Sequence, residues 1–199
     1  MTSGETIHGG YILGERLGSG LIGQTWSATA GEGCAGAAPG TKLVVKLLRL
    51  QDAPDWKALD RIQAEADALK SLAHPAIPRY IDAFRPDDAS FVLVMERIPG
   101  TSLDEVIASG RRFAEADIER LFAGLLDILA YLHALRPPII HRDVNPKNII
   151  LRPDGTLALV DFSGVQDAVM LAWRDSSTMV GTAGYAPVEQ VSGRATIPV

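Results

Sequence analysis

Ile139–Leu151 reads IIHRDVNPKNIIL. Short apolar runs frame a polar stretch in which Asp143, preceded by His141 and Arg142, is followed five residues later by Asn148. A carboxylate placed like Asp143 can accept a hydroxyl proton, and the neutral amide oxygen of Asn148 can ligate a hard cation such as Mg²⁺. Asp161, in LVDFSG directly after an apolar run, adds a second oxygen ligand. The bland alternative for each polar residue is a turn or a helix cap. It would have to hold several times over, in this order, for the stretch to carry no chemistry.

Working outward, LGSGLIGQTW places Gly18, Gly20 and Gly23 in a G-x-G-x-x-G spacing, which lets backbone amides approach phosphates without interference from a Cβ. A dinucleotide fingerprint is the rival, but it requires a long helix next and an acid about twenty residues on. Strand-like residues follow here instead. Lys46 lies inside the apolar run LVVKLL, where an unpaired ammonium costs desolvation energy. Either it reaches water from a sheet edge, or it pairs with Glu65 and holds a nucleotide phosphate. Glu65 lies beside the apolar stripe Ile62, Ala66 and Leu69, so a helix would turn it inward.

The wider pattern is a β-rich first half and a more helical second half. LVVKLLRL (Leu43–Leu50) and FVLVM (Phe91–Met95) read as buried strands, and AGEGCAGAAPG (Ala30–Gly40) as a turn-rich loop. Trp56, Leu59, Ile62, Ala66, Leu69 and Leu72 recur at helical spacing and stop at His74-Pro75. Ser102 with Glu105 is a capping box. A long amphipathic helix is expected from about Glu115 to Leu135, ended by Pro137-Pro138, with Ile118, Leu121, Phe122, Leu125, Ile128, Leu129 and Leu132 as its apolar residues. NIIL and LALVDF then read as strands joined at Asp154-Gly155.

The 199 residues carry a net charge of −5 and no basic block, which argues against nucleic acid or an anionic membrane as partner. Cys34 is the single cysteine, so no internal disulfide forms and a reducing, cytoplasmic setting is expected. The first residues show no signal-peptide pattern, and no apolar run approaches the roughly 20 residues of a membrane helix.

Taken together, these motifs resemble the eukaryotic-like (Hanks-type) serine/threonine protein kinases, particularly bacterial ones, over most of the chain from about Tyr11 to Gln190. Further matching elements are His74-Pro75, VMERIPGTSL, HRDVNPKN, DFS and GTAGYAPVEQ, in the family's order. The resemblance implies an α+β, two-lobed kinase fold, with residues 1–97 as N-lobe and 98–199 as a partial C-lobe. It implies ATP and Mg²⁺ as cofactors and a protein as substrate. Lys46 would hold the α- and β-phosphates and pair with Glu65, Asn148 and Asp161 would bind Mg²⁺, and Asp143 would orient the acceptor hydroxyl. Gly18, Ser19, Gly20, Gly23, Thr25, Val44, Met95, Glu96, Ile98 and Ile150 would line the nucleotide, with Met95 as gatekeeper. Leu69, Tyr80, His141 and Phe162 fall where the family stacks its regulatory spine. Arg142 marks a kinase often controlled through its activation segment, where Ser176, Ser177 and Thr178 are candidate phosphosites.

Three departures qualify this. Asn145 stands where the family places a lysine that neutralises the transferring phosphate; Lys147, at the offset where tyrosine kinases place an arginine, is expected to compensate in part. Ser163 replaces a glycine and is expected to restrict flipping of the metal segment. After Glu189 only ten residues remain, so the helices that usually follow are expected to be missing, leaving the long helix in need of a cover, a second copy or another protein. The competing readings are a nucleotide-binding pseudokinase-like signalling module and, more distantly, a small-molecule kinase of the aminoglycoside-phosphotransferase type.

Overall fold

The computed structural model describes residues 2–20, 23–34, 36–49, 57–164, 166–167, 182, 184–187 and 190. The chain divides into two compact units, Met1–Leu72 with Pro78–Arg97, and Ala73–Ile77 with Ile98–Val199.

In the first unit, strands β1 (Thr6–Ile7), β2 (Tyr11–Gly20), β3 (Gly23–Ala30) and β4 (Lys42–Arg49) precede helix α1 (Lys57–Ser71), and β5 (Tyr80–Phe84) and β6 (Ser90–Glu96) follow it. They form one antiparallel sheet in the order β1-β2-β3-β4-β6-β5. Side chains alternate between the faces of a strand. Leu43, Val45 and Leu47 of β4 therefore join Tyr11, Leu13, Trp26, Val92 and Val94 in one apolar cluster. Lys46, on the other face, meets α1, whose buried positions Ile62, Glu65, Ala66 and Leu69 follow the helical repeat. Each fully buried Leu or Val there contributes about 1.5–3 kcal/mol relative to exposure. Trp56 lies outside the described residues.

β1 and β5 are not evident in the sequence. β5 is obscured by Asp82, a residue that usually marks loops. Its carboxylate accepts the Tyr11 hydroxyl at 3.0 Å. Burial, together with that bond, pushes the Tyr11 phenol well above its ordinary range.

In the second unit, β7 (Thr101–Ser102) leads into α2 (Leu103–Ala108), then α3 (Glu115–Ala134), β8 (Ile139–Ile140), β9 (Ile149–Leu151), β10 (Leu157–Leu159) and β11 (Gln166–Asp167). The capping box is present: the Ser102 hydroxyl accepts the Glu105 N–H at 3.2 Å, and the Glu105 carboxylate accepts the Ser102 N–H at 3.1 Å. α3 starts without a side-chain cap, but Glu115 and Asp117 place negative charge in its first turn. Ile128 and Leu132 of α3 are buried, and α3 packs on β8 and β10. The opposite side is uncovered: Ile118, Phe122 and Leu126 are exposed, Phe122 to 60%. Among the described residues no helix is long and apolar enough to cross a membrane.

Candidate active site

The first unit holds the residues expected around the phosphates. Gly18 pairs with Thr25, Ser19 with Gln24 and Gly20 with Gly23, so the glycine stretch is the end of the β2–β3 hairpin. The glycines differ in what they do. A Cβ on Gly18 would meet nothing within 4 Å, whereas a Cβ on Gly23, at φ 130°, would lie 2.1 Å from the Leu47 carbonyl oxygen. Gly23 is thus required by the close approach of β4, while Gly18 leaves open space beside the backbone. Gly23→Ala is expected to destabilise the chain by about 2–3 kcal/mol in urea unfolding. Gly18→Ala should stay within about 0.5 kcal/mol of the unaltered chain. Equal losses in the two variants would contradict this division.

Lys46 Nζ and Glu65 Oε1 form an ion pair at 2.5 Å, with Glu65 only 1% and Lys46 16% exposed. Thr25 lies opposite Lys46 on β3, and Leu93 on β6. Met95 is buried, opposite Val44 and Tyr80. The N–H groups of Glu96 and Arg97 donate to Arg79 and Lys42 carbonyls at 2.9 and 3.1 Å.

The second unit holds the loop between β8 and β9. His141 is buried; its Nδ1 accepts the Asp143 N–H at 3.3 Å, so its proton sits on Nε2, 3.2 Å from the Val160 carbonyl. The ring meets Phe162 edge-on at 4.8 Å. Asp143 is held at both carboxylate oxygens. Asn148 Nδ2 donates to Oδ2 at 2.9 Å and to the Asp143 carbonyl at 2.9 Å, and the Thr182 hydroxyl donates to Oδ1 at 2.8 Å. Asn145 Nδ2 donates to Thr182 Oγ1 at 3.0 Å and to the Asp143 carbonyl at 3.2 Å, while its Oδ1 accepts the Lys147 N–H at 2.9 Å. Among the described residues no lysine or arginine pairs with Asp143, and the Lys147 side chain is exposed.

The N–H of Val160, the residue before Asp161, donates to the Asn148 carbonyl at 2.9 Å. Because Nδ2 of Asn148 faces Asp143, its Oδ1 is the amide atom that can ligate a cation. One amide oxygen and one carboxylate suit Mg²⁺, which takes few protein ligands and completes its shell with water and phosphate oxygens. Left-handed backbone falls on Arg142 (φ 65°) and Asp161 (φ 63°) and not on Ser163, whose N–H donates to Asp161 Oδ1 at 3.2 Å. Such positions cost about 1–3 kcal/mol each and gather at functional sites. Burial lowers the pKa of the Arg142 guanidinium.

A cavity of about 200 Å³ adjoins the loop, lined by His133, Arg142, Asp143, Thr182, Tyr185 and Gln190 among others. Gln190 Nε2 donates to the Arg142 carbonyl at 2.7 Å. Thr182 and Gln190 fall within the GTAGYAPVEQ motif, but the sequence alone assigns no role to either, since the Thr182 contact spans 39 residues and follows no period. Ser176, Ser177, Thr178 and Glu189 lie outside the described residues.

Residues 11–197 match the protein kinase domain family. Serine/threonine-protein kinase B of Synechocystis sp. is 36% identical over 202 residues, covering 94% of this chain and 34% of the relative. Serine/threonine-protein kinase C of the same organism is 34% identical, covering 92% and 35%. Serine/threonine-protein kinase PknA of Nostoc sp. is 33% identical, covering 92% and 33%. The chain thus spans about a third of the length of these curated relatives. The family match over nearly the whole chain, together with a β-rich unit that pairs Lys46 with Glu65 and a second unit built around Asp143, leads to one conclusion: the chain belongs to the protein kinase domain family, with the α+β fold of that family.

Proposed function

We propose that this chain is the catalytic part of a serine/threonine protein kinase that uses ATP and Mg²⁺. The observation that carries the reading is the Asp143 carboxylate, oriented by Asn148 on one oxygen and Thr182 on the other. A carboxylate so held keeps lone pairs directed at an incoming hydroxyl. The acceptor oxygen bonds to the γ-phosphorus as the bond from that phosphorus to the β-phosphate oxygen breaks, and the hydroxyl proton passes to Asp143. Mg²⁺ bound by Asn148 Oδ1 and Asp161 would offset charge on the phosphate oxygens. Lys46, oriented by Glu65, holds the α- and β-phosphates. The Gly18–Gly23 hairpin covers them, and Thr25, Val44, Met95 and Ile150 contribute to the nucleotide site. In the Glu96–Ile98 stretch, Ile98 keeps an N–H for adenine, because those of Glu96 and Arg97 are taken up by backbone carbonyls. The substrate is a protein hydroxyl, the setting is cytoplasmic, and the uncovered side of α3 is assigned to a second copy of the chain or another protein.

A second reading, a nucleotide-binding signalling module without turnover, is favoured by the lack of any cation paired with Asp143 among the described residues. The experiment is intact mass of the phosphatase-treated chain, with casein as a second acceptor, before and after Mg²⁺-ATP. Mass gained in phosphate steps by chain or casein supports the kinase. Calorimetric binding of Mg²⁺-ATP with no gain in either supports the module.

A further inference from the structure

We infer that Ser27 is a positioning residue for the nucleotide that acts through the β2–β3 hairpin; the inference rests on the nucleotide site of the kinase reading above. The β2–β3 ladder is interrupted twice, between Leu13 and Arg16 and between Arg16 and Gly18. At the first interruption Leu13 pairs with Ala28 and Arg16 with Trp26, so Gly14 and Glu15 together oppose Ser27 alone. Two residues against one form a β-bulge, which bends its strand and takes backbone groups out of the ladder. Ser27 is 7% exposed, and its hydroxyl stands in for the missing ladder bonds. It accepts the Glu15 N–H at 2.9 Å and donates to the Glu15 carbonyl at 3.2 Å. Gly14 makes room for it, since a Cβ there would lie 2.5 Å from Ser27 Oγ.

The bulge decides which residues of β2 reach the phosphates. Beyond it Gly18 pairs with Thr25 and Gly20 with Gly23. With one residue fewer in the bulge, Leu17 would stand opposite Thr25 and Ser19 opposite Gly23. A slip of one residue carries every later side chain to the other face. Thr25 lies opposite Lys46, so Leu17 would then set its side chain on the lysine's face of the sheet, where Gly18 leaves open space. Ser27 lies opposite Val44, on the same face of β3 as Thr25, because side chains alternate. Its hydroxyl is spent on the Glu15 backbone, so it acts on the nucleotide by fixing the hairpin.

The test uses the chain with Mg²⁺-ATP and casein, measuring the Kd for Mg²⁺-ATP by calorimetry beside the KM for ATP and kcat. Ser27→Ala should raise Kd and KM about tenfold, the factor a single hydrogen bond carries. It should leave kcat within about threefold, because the hairpin holds the nucleotide and not the acceptor. A chain that was merely less stable would lose active molecules, and so kcat, at an unchanged KM. Gly14→Ala keeps the hydroxyl but turns it out of the bulge, and should raise both constants by a similar factor. The double variant should lose no more than Ser27→Ala, because the nearest remaining atom to the added Cβ is the Ser27 carbonyl oxygen at 3.4 Å. Should Ser27→Ala fold poorly, Gly14→Ala decides alone. The inference is overturned if either folded single variant binds Mg²⁺-ATP as the unaltered chain does, if the loss appears in kcat alone, or if the double variant loses the product of the two single factors; these results leave the kinase reading standing. An unaltered chain that binds Mg²⁺-ATP and transfers no phosphate overturns the kinase reading, and Kd alone then decides the inference. An unaltered chain that binds none overturns both.

Discussion

Asp143→Asn is expected to lower phosphoryl transfer to casein about 10²–10⁴-fold, the range a positioned proton acceptor contributes. The substitution keeps the shape of the side chain and removes its charge and one acceptor oxygen. Asn148 and Thr182 both donate to the carboxylate, so one of them loses its partner. The stability cost should be about 1–2 kcal/mol, a single hydrogen bond with the burial of its orphaned donor. Binding of Mg²⁺-ATP, measured by calorimetry, should persist, since Asp143 is not among the residues assigned to the nucleotide or the metal. The variant therefore separates chemistry from binding. Undiminished phosphate incorporation would remove Asp143 from the mechanism.

Lys46→Met is expected to destabilise the chain by about 3–5 kcal/mol in urea unfolding, because it leaves Glu65 charged and almost fully buried. The double variant Lys46→Met with Glu65→Leu should recover most of that loss, since an apolar pair of similar volume replaces a buried ion pair at little cost. Neither variant should transfer phosphate, because the cation assigned to the α- and β-phosphates is gone. The pairing is then kept for nucleotide binding and not for stability. A double variant as unstable as Lys46→Met would show that Glu65 serves the fold through its other contacts.

Much of the fold is legible in the chain. The apolar run around Lys46 and the helical repeat around Glu65 leave a sheet-edge lysine and an ion pair both open, and the structure decides for the pair, joined at 2.5 Å. Ser102 and Glu105 announce the start of α2, and Pro137-Pro138 the end of α3, since proline restricts the backbone directly. β5 escaped because Asp82 breaks its apolar pattern, and only the Tyr11 hydroxyl, 71 residues away, accounts for it. Gly23 belongs to a spacing associated with phosphates, yet its missing Cβ first serves the β4 carbonyl against it.

The sequence by itself determined the order of β4, α1, β6, α2, α3, β9 and β10, their apolar faces and the candidate acids, amides and cation, because those depend on residue type and on contacts within a few turns or strands. The tertiary structure alone decided that Asn145 directs both its hydrogens to protein acceptors and that Thr182 caps Asp143. It also placed the left-handed backbone at Asp161 instead of Ser163. Hydrogen-bond direction and backbone strain are set by groups that meet across long stretches of chain, and no local period encodes such meetings.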